Sequence, residues 1–163
     1  PAQSVYRYFP SAPALNHGLV TRYLKMITQL TEAVDFSDCK TWQAMTALSI
    51  RTSIAFYQQH PHAMELILGS GASRETRAAD RASVTALAQA SSDRFQQAGL
   101  ISNSDDILRH MEITIDIADA IWSQSYHYHR DITPFYEQES LRAVVGYLGL
   151  YLPQYTPESL ANA

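Results

Sequence analysis

Apolar residues recur at intervals of three and four along almost the whole chain, and this spacing is typical of helices with one apolar face. The sustained alternation that is typical of strands does not occur, and there is no Asn-Gly or Asp-Gly hairpin turn. The pattern predicts a short helix over 2–9, longer helices over 12–34, 39–60, 74–98, 105–127 and 133–152, and another short helix ending at Leu68. We therefore expect an all-α fold.

The predicted helix ends coincide with residues that favour them. Ser11 is placed to cap the first long helix, and Pro13 falls in its first turn, where a missing N–H costs nothing. Gly99 is suited to a C-terminal cap, because glycine adopts the left-handed conformation that such a cap needs. Thr133 and Pro134 are a suitable cap and first residue for the last helix. These signals support the same set of helices as the apolar spacing.

Two of the predicted helices are apolar over more of their surface than one neighbour can cover. The helix over 39–60 is apolar nearly all round, which is typical of the centre of a bundle, and Arg51 is its lone strong charge. The helix over 105–127 needs two partners, one of which could belong to another subunit. Its wide apolar arc contains Ile107, Leu108, Met111, Ile113, Ile115, Ile117, Ile121, Trp122 and Tyr126. Gly146 and Gly149 in the last helix would let another helix approach closely.

The composition is that of one folded domain. Its 163 residues are 46% hydrophobic and 17% charged, which allows a sizeable core and argues against disorder. No apolar run approaches the roughly 20 residues of a membrane span, and no signal peptide is visible. The single cysteine, Cys39, excludes an internal disulfide and favours a reducing, cytoplasmic location.

The net charge of −4 is unevenly distributed. Residues 1–34 hold three basic side chains and one acidic side chain, a balance of +2, so residues 35–163 carry −6. Contact with DNA phosphates needs clustered lysine and arginine. Any contact with DNA is therefore expected from the amino-terminal end.

Sequence motifs of catalysis are absent. The chain has no glycine-rich phosphate loop, no Gly-x-Ser-x-Gly and no His-Glu-x-x-His, and without Glu-x-x-His it lacks the ligand spacing of a di-iron bundle. His127 and His129 could bind a metal, but residues at i and i+2 do not share a helix face, so a polar helix end is the favoured interpretation. We expect no metal and no cofactor.

Three polar features of the predicted helices have more than one interpretation. Arg51 would pair with Glu112 or Asp116, or would bind a ligand carboxylate. His110, among apolar neighbours, is either a core histidine bonded to a backbone carbonyl or a polar contact in a pocket. The acidic stripe of Glu112, Asp116 and Asp119 could serve acid–base chemistry, but a solvated or arginine-paired helix face is the favoured interpretation.

The amino-terminal segment carries a family resemblance. The residues Ser4-Val-Tyr-Arg-Tyr-Phe-Pro-Ser11 resemble the end of the recognition helix in TetR-family (tetracycline-repressor-like) transcriptional regulators, which has a similar Tyr-x-Tyr-Phe-x-Ser pattern. The order of the later helices is similar as well, with Phe56-Tyr57-Gln-Gln-His60-Pro61 ending the central one. The resemblance implies four parts: the end of a helix-turn-helix, a connector helix, an effector-binding and dimerisation domain, and a tail, over 1–12, 13–34, 35–155 and 156–163.

The resemblance also implies roles for individual residues. Those expected in the major groove or at the adjoining phosphates are Gln3, Ser4, Tyr6, Arg7 and Tyr8. Ala12 stands where the family usually has a phosphate-contacting lysine. The residues expected around the effector are Met45, Ser49, Arg51, Thr52, Phe56, Leu87, Ser91, His110, Thr114 and Ile117. Those expected in a dimer interface of the last two long helices are Ile115, Trp122, Tyr126, Leu141, Val145 and Leu148.

The expected function is that of a TetR-like homodimeric transcriptional regulator, acting as a repressor, which binds a small apolar or aromatic effector and then releases operator DNA. Because the first part of the helix-turn-helix is not in this sequence, operator binding is expected of the full-length protein only. Two alternatives stay open: a small helical-bundle enzyme using Arg51, His110 and Glu112, and a dimeric interaction scaffold without a ligand. No membrane association is expected.

Overall fold

The computed structural model describes residues 11–69, 74–101 and 105–152, with the backbone alone for 12–13, 74–80 and 105. Here the chain forms six α-helices: α1 (Ala12–Glu32), α2 (Trp42–Gln59), α3 (Pro61–Leu68), α4 (Arg74–Gln97), α5 (Asp105–His129) and α6 (Pro134–Gly149). No strand occurs in the described residues. The all-α prediction is confirmed, and each long helix begins and ends within a few residues of the predicted bounds. The predicted helix over 2–9 lies outside the described residues.

The predicted helix ends are confirmed where local chemistry sets them. Ser11 Oγ accepts a hydrogen bond from the backbone N–H of Ala14 at 3.3 Å, which satisfies one of the free donors in the first turn of α1. Gly99 follows α4 at φ +69°, and the Leu100 N–H donates back to the Phe95 carbonyl at 2.9 Å. These two features form the Schellman arrangement that a glycine at this position favours.

Five of the six helices form a closed ring. Going round it, α1 packs against α4, α4 against α5, α5 against α6, α6 against α2, and α2 against α1. The short helix α3 packs against α1, α2 and α5, which are not all neighbours in the ring, and it therefore lies across one end. Each helix of the ring turns one face inward and shares its two flanks with neighbours, which explains the wide apolar arcs of α2 and α5.

Helix α1 buries one stripe of residues. Its buried residues are Val20, Leu24, Ile27 and Thr31, which are spaced by three and four and so lie on one face. Leu30 lies off this face and is 42% exposed. The stripe includes a polar residue, Thr31, whose hydroxyl donates to the Ile27 carbonyl at 2.8 Å and so needs no other partner.

Helix α2 is not the enclosed central helix that its composition predicts. Its exposed residues include Ala44, Arg51, Ala55 and Gln58, which share one face. The Arg51 side chain is 65% exposed, and its Nε lies 3.6 Å from Glu137 Oε1 on α6. The expectation that Arg51 is buried and pairs with Glu112 or Asp116 was therefore wrong. The reason is that a ring of helices leaves the outer side of every member to solvent.

The connection from α5 to α6 is held by buried hydroxyl groups. Ser125, which is fully buried, donates to the Asp131 carbonyl at 2.7 Å and accepts from the Thr133 N–H at 3.1 Å. One turn earlier on α5, Trp122 Nε1 donates to Ser140 Oγ on α6 at 3.1 Å. Together these bonds fix the relative position of the two helices that form one side of the ring.

Gly146 and Gly149 on α6 face open space. A Cβ atom built on either residue would meet no heavy atom within 4 Å. The close helix approach that these glycines predict therefore does not occur between the described helices of one chain.

Candidate functional site

A cavity of about 110 Å³ lies inside the ring of helices. All five ring helices line it, and α3 contributes none of the lining side chains. The apolar part of the wall comes from Leu24 and Ile27 on α1, Ile50 and Tyr57 on α2, Val84, Leu87 and Phe95 on α4, Met111, Ile115, Ala118 and Trp122 on α5, and Val144 and Leu148 on α6. A concave, mostly apolar space with a few polar groups is the usual form of a small-molecule site.

The polar part of the wall consists mainly of small hydroxyl side chains: Thr31, Thr46, Ser49, Ser53, Ser83, Ser91 and Thr114. The three threonines donate to backbone carbonyls one turn earlier in their own helices, at 2.7–2.8 Å. Ser83 shares a hydrogen bond of 3.3 Å with Thr28 of α1. The hydroxyls of Ser49, Ser53 and Ser91 form no hydrogen bond within the described residues, so they are available to a ligand.

The acidic stripe of α5 divides between the cavity and the contact with α4. Asp119 lines the cavity, and among the side chains that the structure describes no lysine, arginine or histidine does so. Asp116 accepts from both terminal nitrogens of Arg81, at 3.0 and 3.1 Å, and Glu112 Oε1 accepts from Thr85 Oγ1 at 2.6 Å. The interpretation of the stripe as an arginine-paired face is therefore confirmed for Asp116.

A second concave surface adjoins the cavity along α1. It is a groove of about 380 Å³ whose wall includes the exposed residues Thr21, Lys25, Gln29 and Glu32. Leu24 and Ser83 line both the groove and the cavity, so these two side chains stand between them. The groove is the larger space, but its exposed and polar wall encloses a ligand less well than the apolar wall of the cavity.

Four of the ten predicted effector residues line the cavity: Ser49, Leu87, Ser91 and Thr114. Met45 and Phe56 lie in the apolar core instead, at 2% and 3% exposure. Thr52 and Ile117 are half-buried and lie outside the cavity wall. Arg51 is on the outer face of α2, as described above. Four of the predicted residues therefore lie at the cavity, and the other six lie away from it.

His110 contacts tyrosines of α6 and does not line the cavity. Its Nδ1 lies 2.9 Å from the Tyr147 hydroxyl. Its ring stacks on the ring of Tyr151, with centroids 3.8 Å apart and planes at 21°. These contacts join the first turns of α5 to the carboxyl end of α6.

The three candidate enzyme residues are not brought together. Arg51 lies beside Glu137 and His110 beside Tyr147, and these two partners are ten residues, or about 15 Å, apart along α6. Glu112 faces α4. No group of three or more His, Cys, Asp or Glu side chains that could hold a metal ion occurs in the described residues.

The predicted dimer residues lie partly inside the protomer. Ile115 lines the cavity, and Leu141 and Val145 are half-buried on α6. The residues that are buried within one chain are Trp122, Tyr126 and Leu148. These three side chains are already covered, so the accessible surface of α5 and α6 consists of other residues.

Sequence reasoning missed several cavity residues, including Leu24, Thr46, Ser53 and Trp122. One signal for the site was present in the sequence: Ser49 and Ser53 are two small hydroxyl residues one turn apart in an otherwise apolar helix. Serine is a poorer choice than alanine for filling a core, because its hydroxyl needs a partner.

Three expectations from the sequence remain: contact with DNA, membership of a known family, and the absence of a membrane span. The predicted DNA-contacting residues lie outside the described residues: Gln3, Ser4, Tyr6, Arg7 and Tyr8. No family model matches this chain, and neither a curated protein nor a solved structure shows a significant match to it. No described helix has the length and apolar character to cross a membrane.

Proposed function

We propose that this protein is a ligand-responsive transcriptional regulator of the TetR kind, in which a small molecule in the cavity changes the DNA affinity of the amino-terminal segment. The observation that supports this is that α1, the helix that follows this segment, lines the cavity. Leu24, Ile27 and Thr31 of α1 form part of the wall. A ligand that contacts them acts directly on the helix leading to the proposed DNA-contacting residues.

Helix α1 is suited to transmit such a contact. It has 21 residues and is therefore about 30 Å long. Its position against α4 is set in part by the hydrogen bond between Thr28 and Ser83, at the edge of the cavity. A ligand changes DNA affinity only through the difference between its affinities for the two conformations, so contacts with a helix that moves between them carry the effect.

The proposal includes a homodimer formed through α5 and α6. The large apolar residues that remain exposed on or directly after these helices include Ile113, Phe135 and Leu150, at 42%, 64% and 69% exposure. Gly146 and Gly149 present an open face of α6 that another helix can approach. A twofold dimer would use this surface on both subunits.

The DNA-binding part is tested with the full-length protein, including its native amino-terminal sequence, and a pool of random duplex DNA. We expect selection of a preferred sequence and an affinity that falls steeply as salt concentration rises, because phosphate contacts release counterions. Small aromatic compounds that raise Tm should release the DNA. Full-length protein without salt-sensitive duplex binding would refute the proposal.

The role of the cavity is tested with two matched leucine substitutions on α5. Ala118 lines the cavity and is 4% exposed, whereas Ala120 is exposed on the outside of the same helix. Ala118→Leu should fill the cavity and abolish both the Tm shift and the effect of the ligand on DNA. Ala120→Leu should leave both unchanged. Equal responses in the two variants would place the ligand outside the cavity.

A further inference from the structure

Three serines of the cavity wall differ from its threonines in how their hydroxyls are used. The three threonines donate to carbonyls of their own helices. Ser49 and Ser53 on α2 and Ser91 on α4 form no hydrogen bond within the described residues. The fully enclosed side-chain polar atoms that lack a partner in this part of the chain are His17 Nδ1 and Arg94 Nη1. The three serine oxygens are therefore accessible to a small molecule.

These serines favour a ligand that carries a hydroxyl group. Ser49 and Ser53 are four residues apart and so are neighbours on the surface of α2. Each serine hydroxyl can both donate and accept a hydrogen bond, and a hydroxyl on a ligand can do the same. A hydrocarbon in the cavity would displace water from the serines and offer them no hydrogen bond in return, which is unfavourable.

The apolar part of the wall and the volume of the cavity limit the rest of the ligand to about one ring. An apolar protein cavity of about 150 Å³ holds benzene, and this cavity has about 110 Å³. Three aromatic side chains line it, Tyr57, Phe95 and Trp122. The rings of Tyr57 and Trp122 meet edge-on at 69°, so a ligand ring can contact the face of one and the edge of the other.

We infer, resting on the proposed function, that the effector is a single aromatic ring with an uncharged hydroxyl group, that is, a small phenol. Ser49, Ser53 and Ser91 bind the hydroxyl, and the aromatic side chains of the wall bind the ring. The serines thereby select a hydroxylated ring over a hydrocarbon of the same size. The inference uses only the hydroxyls, the rings and the volume of the cavity, and it assigns no role to charge.

Phenol and toluene test this inference, because they share one ring and differ by a hydroxyl in place of a methyl group. Both are uncharged at pH 7, since a phenolic hydroxyl ionises near pH 10. Each is titrated into the full chain, unmodified and with all three serines replaced by alanine, and Kd is measured by NMR chemical shifts. The replacement should weaken phenol about tenfold, as expected for one or two neutral hydrogen bonds, and leave toluene within about twofold.

Comparing the same two compounds in both proteins cancels the difference in their hydration, so the cycle isolates the contribution of the serines. Ser123→Ala is the matched control. Ser123 on α5 is also half-buried and forms no hydrogen bond within the described residues, but it lies outside the cavity wall. Its replacement should leave the Kd of both compounds unchanged. Alanine is the better helix former, so the variants should fold, and unchanged toluene binding shows that the cavity is intact.

The possible outcomes distinguish this inference from the proposed function. Phenol binding that the triple replacement leaves unchanged, or weakens no more than toluene binding, would overturn the inference, as would the failure of both probes to bind. Tighter binding of 1-naphthol than of phenol would overturn the limit to one ring, because a second ring adds apolar area that only a larger site can cover. If the triple variant does not fold, Ser91→Ala alone should weaken phenol about threefold and spare toluene. The regulator proposal falls only if the full-length protein fails to bind DNA.

Discussion

Replacing Ser140 by alanine tests the hydrogen bond that joins α5 to α6 beside the cavity. The Ser140 hydroxyl is fully buried, accepts from Trp122 Nε1 at 3.1 Å and donates to the Glu137 carbonyl at 2.8 Å. Trp122 is 5% exposed and packs edge-on against Tyr57, with ring centroids 6.0 Å apart. After the substitution the indole N–H would stay buried and lose this acceptor.

The expected loss of stability follows from that unpaired donor. A buried donor left without a partner costs about 1–3 kcal/mol. Alanine is a better helix former than serine by up to about 0.5 kcal/mol, which offsets part of the loss. We therefore expect Ser140→Ala to lower the free energy of unfolding by about 1–2 kcal/mol. For a chain of this length that corresponds to a fall in Tm of about 2–8 °C.

The assay is urea unfolding followed by far-ultraviolet circular dichroism, in a double-mutant cycle with Trp122→Phe. Phenylalanine keeps an aromatic ring but has no N–H, so Ser140→Ala should cost about 1 kcal/mol less in that background. Ser92→Ala is the matched control. Ser92 is 2% exposed, and it accepts at 3.2 Å from Gln96, whose half-buried amide can turn towards water.

Two results would contradict this reasoning. If the effects of Ser140→Ala and Trp122→Phe add to within about 0.5 kcal/mol, the two side chains are not coupled and the hydrogen bond does not carry the cost. If Ser140→Ala and Ser92→Ala destabilise equally, the loss comes from removing a buried hydroxyl in general rather than from stranding the indole N–H.

Three further predictions concern local features. Gly99→Ala should destabilise the protein by about 1 kcal/mol in thermal unfolding, because φ at this residue is +69°. The cost comes from the backbone alone, since a Cβ here meets no atom within 4 Å, and Gly99→Asn should cost less because asparagine adopts this conformation more readily. The exposed pair of Arg81 and Asp116 should give a coupling below about 1 kcal/mol that shrinks in high salt, measured by a double-mutant cycle. The backbone N–H of Ser37 donates to Asp35 at 2.9 Å and lowers the pKa of that carboxyl. The ionised Asp35 should therefore stabilise the fold at pH values above the ordinary pKa of the carboxyl, and this contribution should disappear as pH falls through the lowered pKa of the folded state. Unfolding of the unmodified chain and Asp35→Asn across acidic pH should show this difference, and parallel curves would contradict it.

Helix existence and helix ends could be predicted from the sequence because they depend on neighbouring residues. Ser11 finds its partner three residues away in Ala14, and Gly99 lets Leu100 reach back to Phe95. Such contacts join residues no more than five positions apart, so they can be recognised from the local sequence. The bounds predicted from them therefore hold to within a few residues.

The inward faces of the helices were predictable only where the apolar stripe is narrow. On α4, which is mostly polar, Leu87 and Ser91 were assigned to the cavity and do line it. On α2 the cavity-lining residues Thr46, Ile50, Ser53 and Tyr57 lie about one residue, or roughly 100°, round the helix from Met45, Thr52 and Phe56, and Ser49, which also lines the cavity, lies between the two groups. An apolar pattern fixes rotation only when a polar face opposes it, and α2 has apolar residues on several sides because it packs against three other helices.

The apolar pattern of α5 likewise does not show which residues face the core and which are available to a second subunit. In the sequence, α5 has an apolar arc that is wider than one neighbouring helix can cover. In the structure the ring supplies neighbours on both flanks of α5, and Trp122 and Leu148 are buried within the chain. A partner could still cover the exposed part of that arc, around Ile113, together with Leu150 at the end of α6 and the open face of Gly146. If the homodimer forms as proposed, we expect its interface to be formed by these residues, since moving Trp122 out of the core would open the cavity that is proposed to bind the ligand. Dimer stability and ligand binding would then depend on opposite faces of the same two helices, so substitutions at Ile113 should weaken the dimer without changing ligand affinity in the protomer.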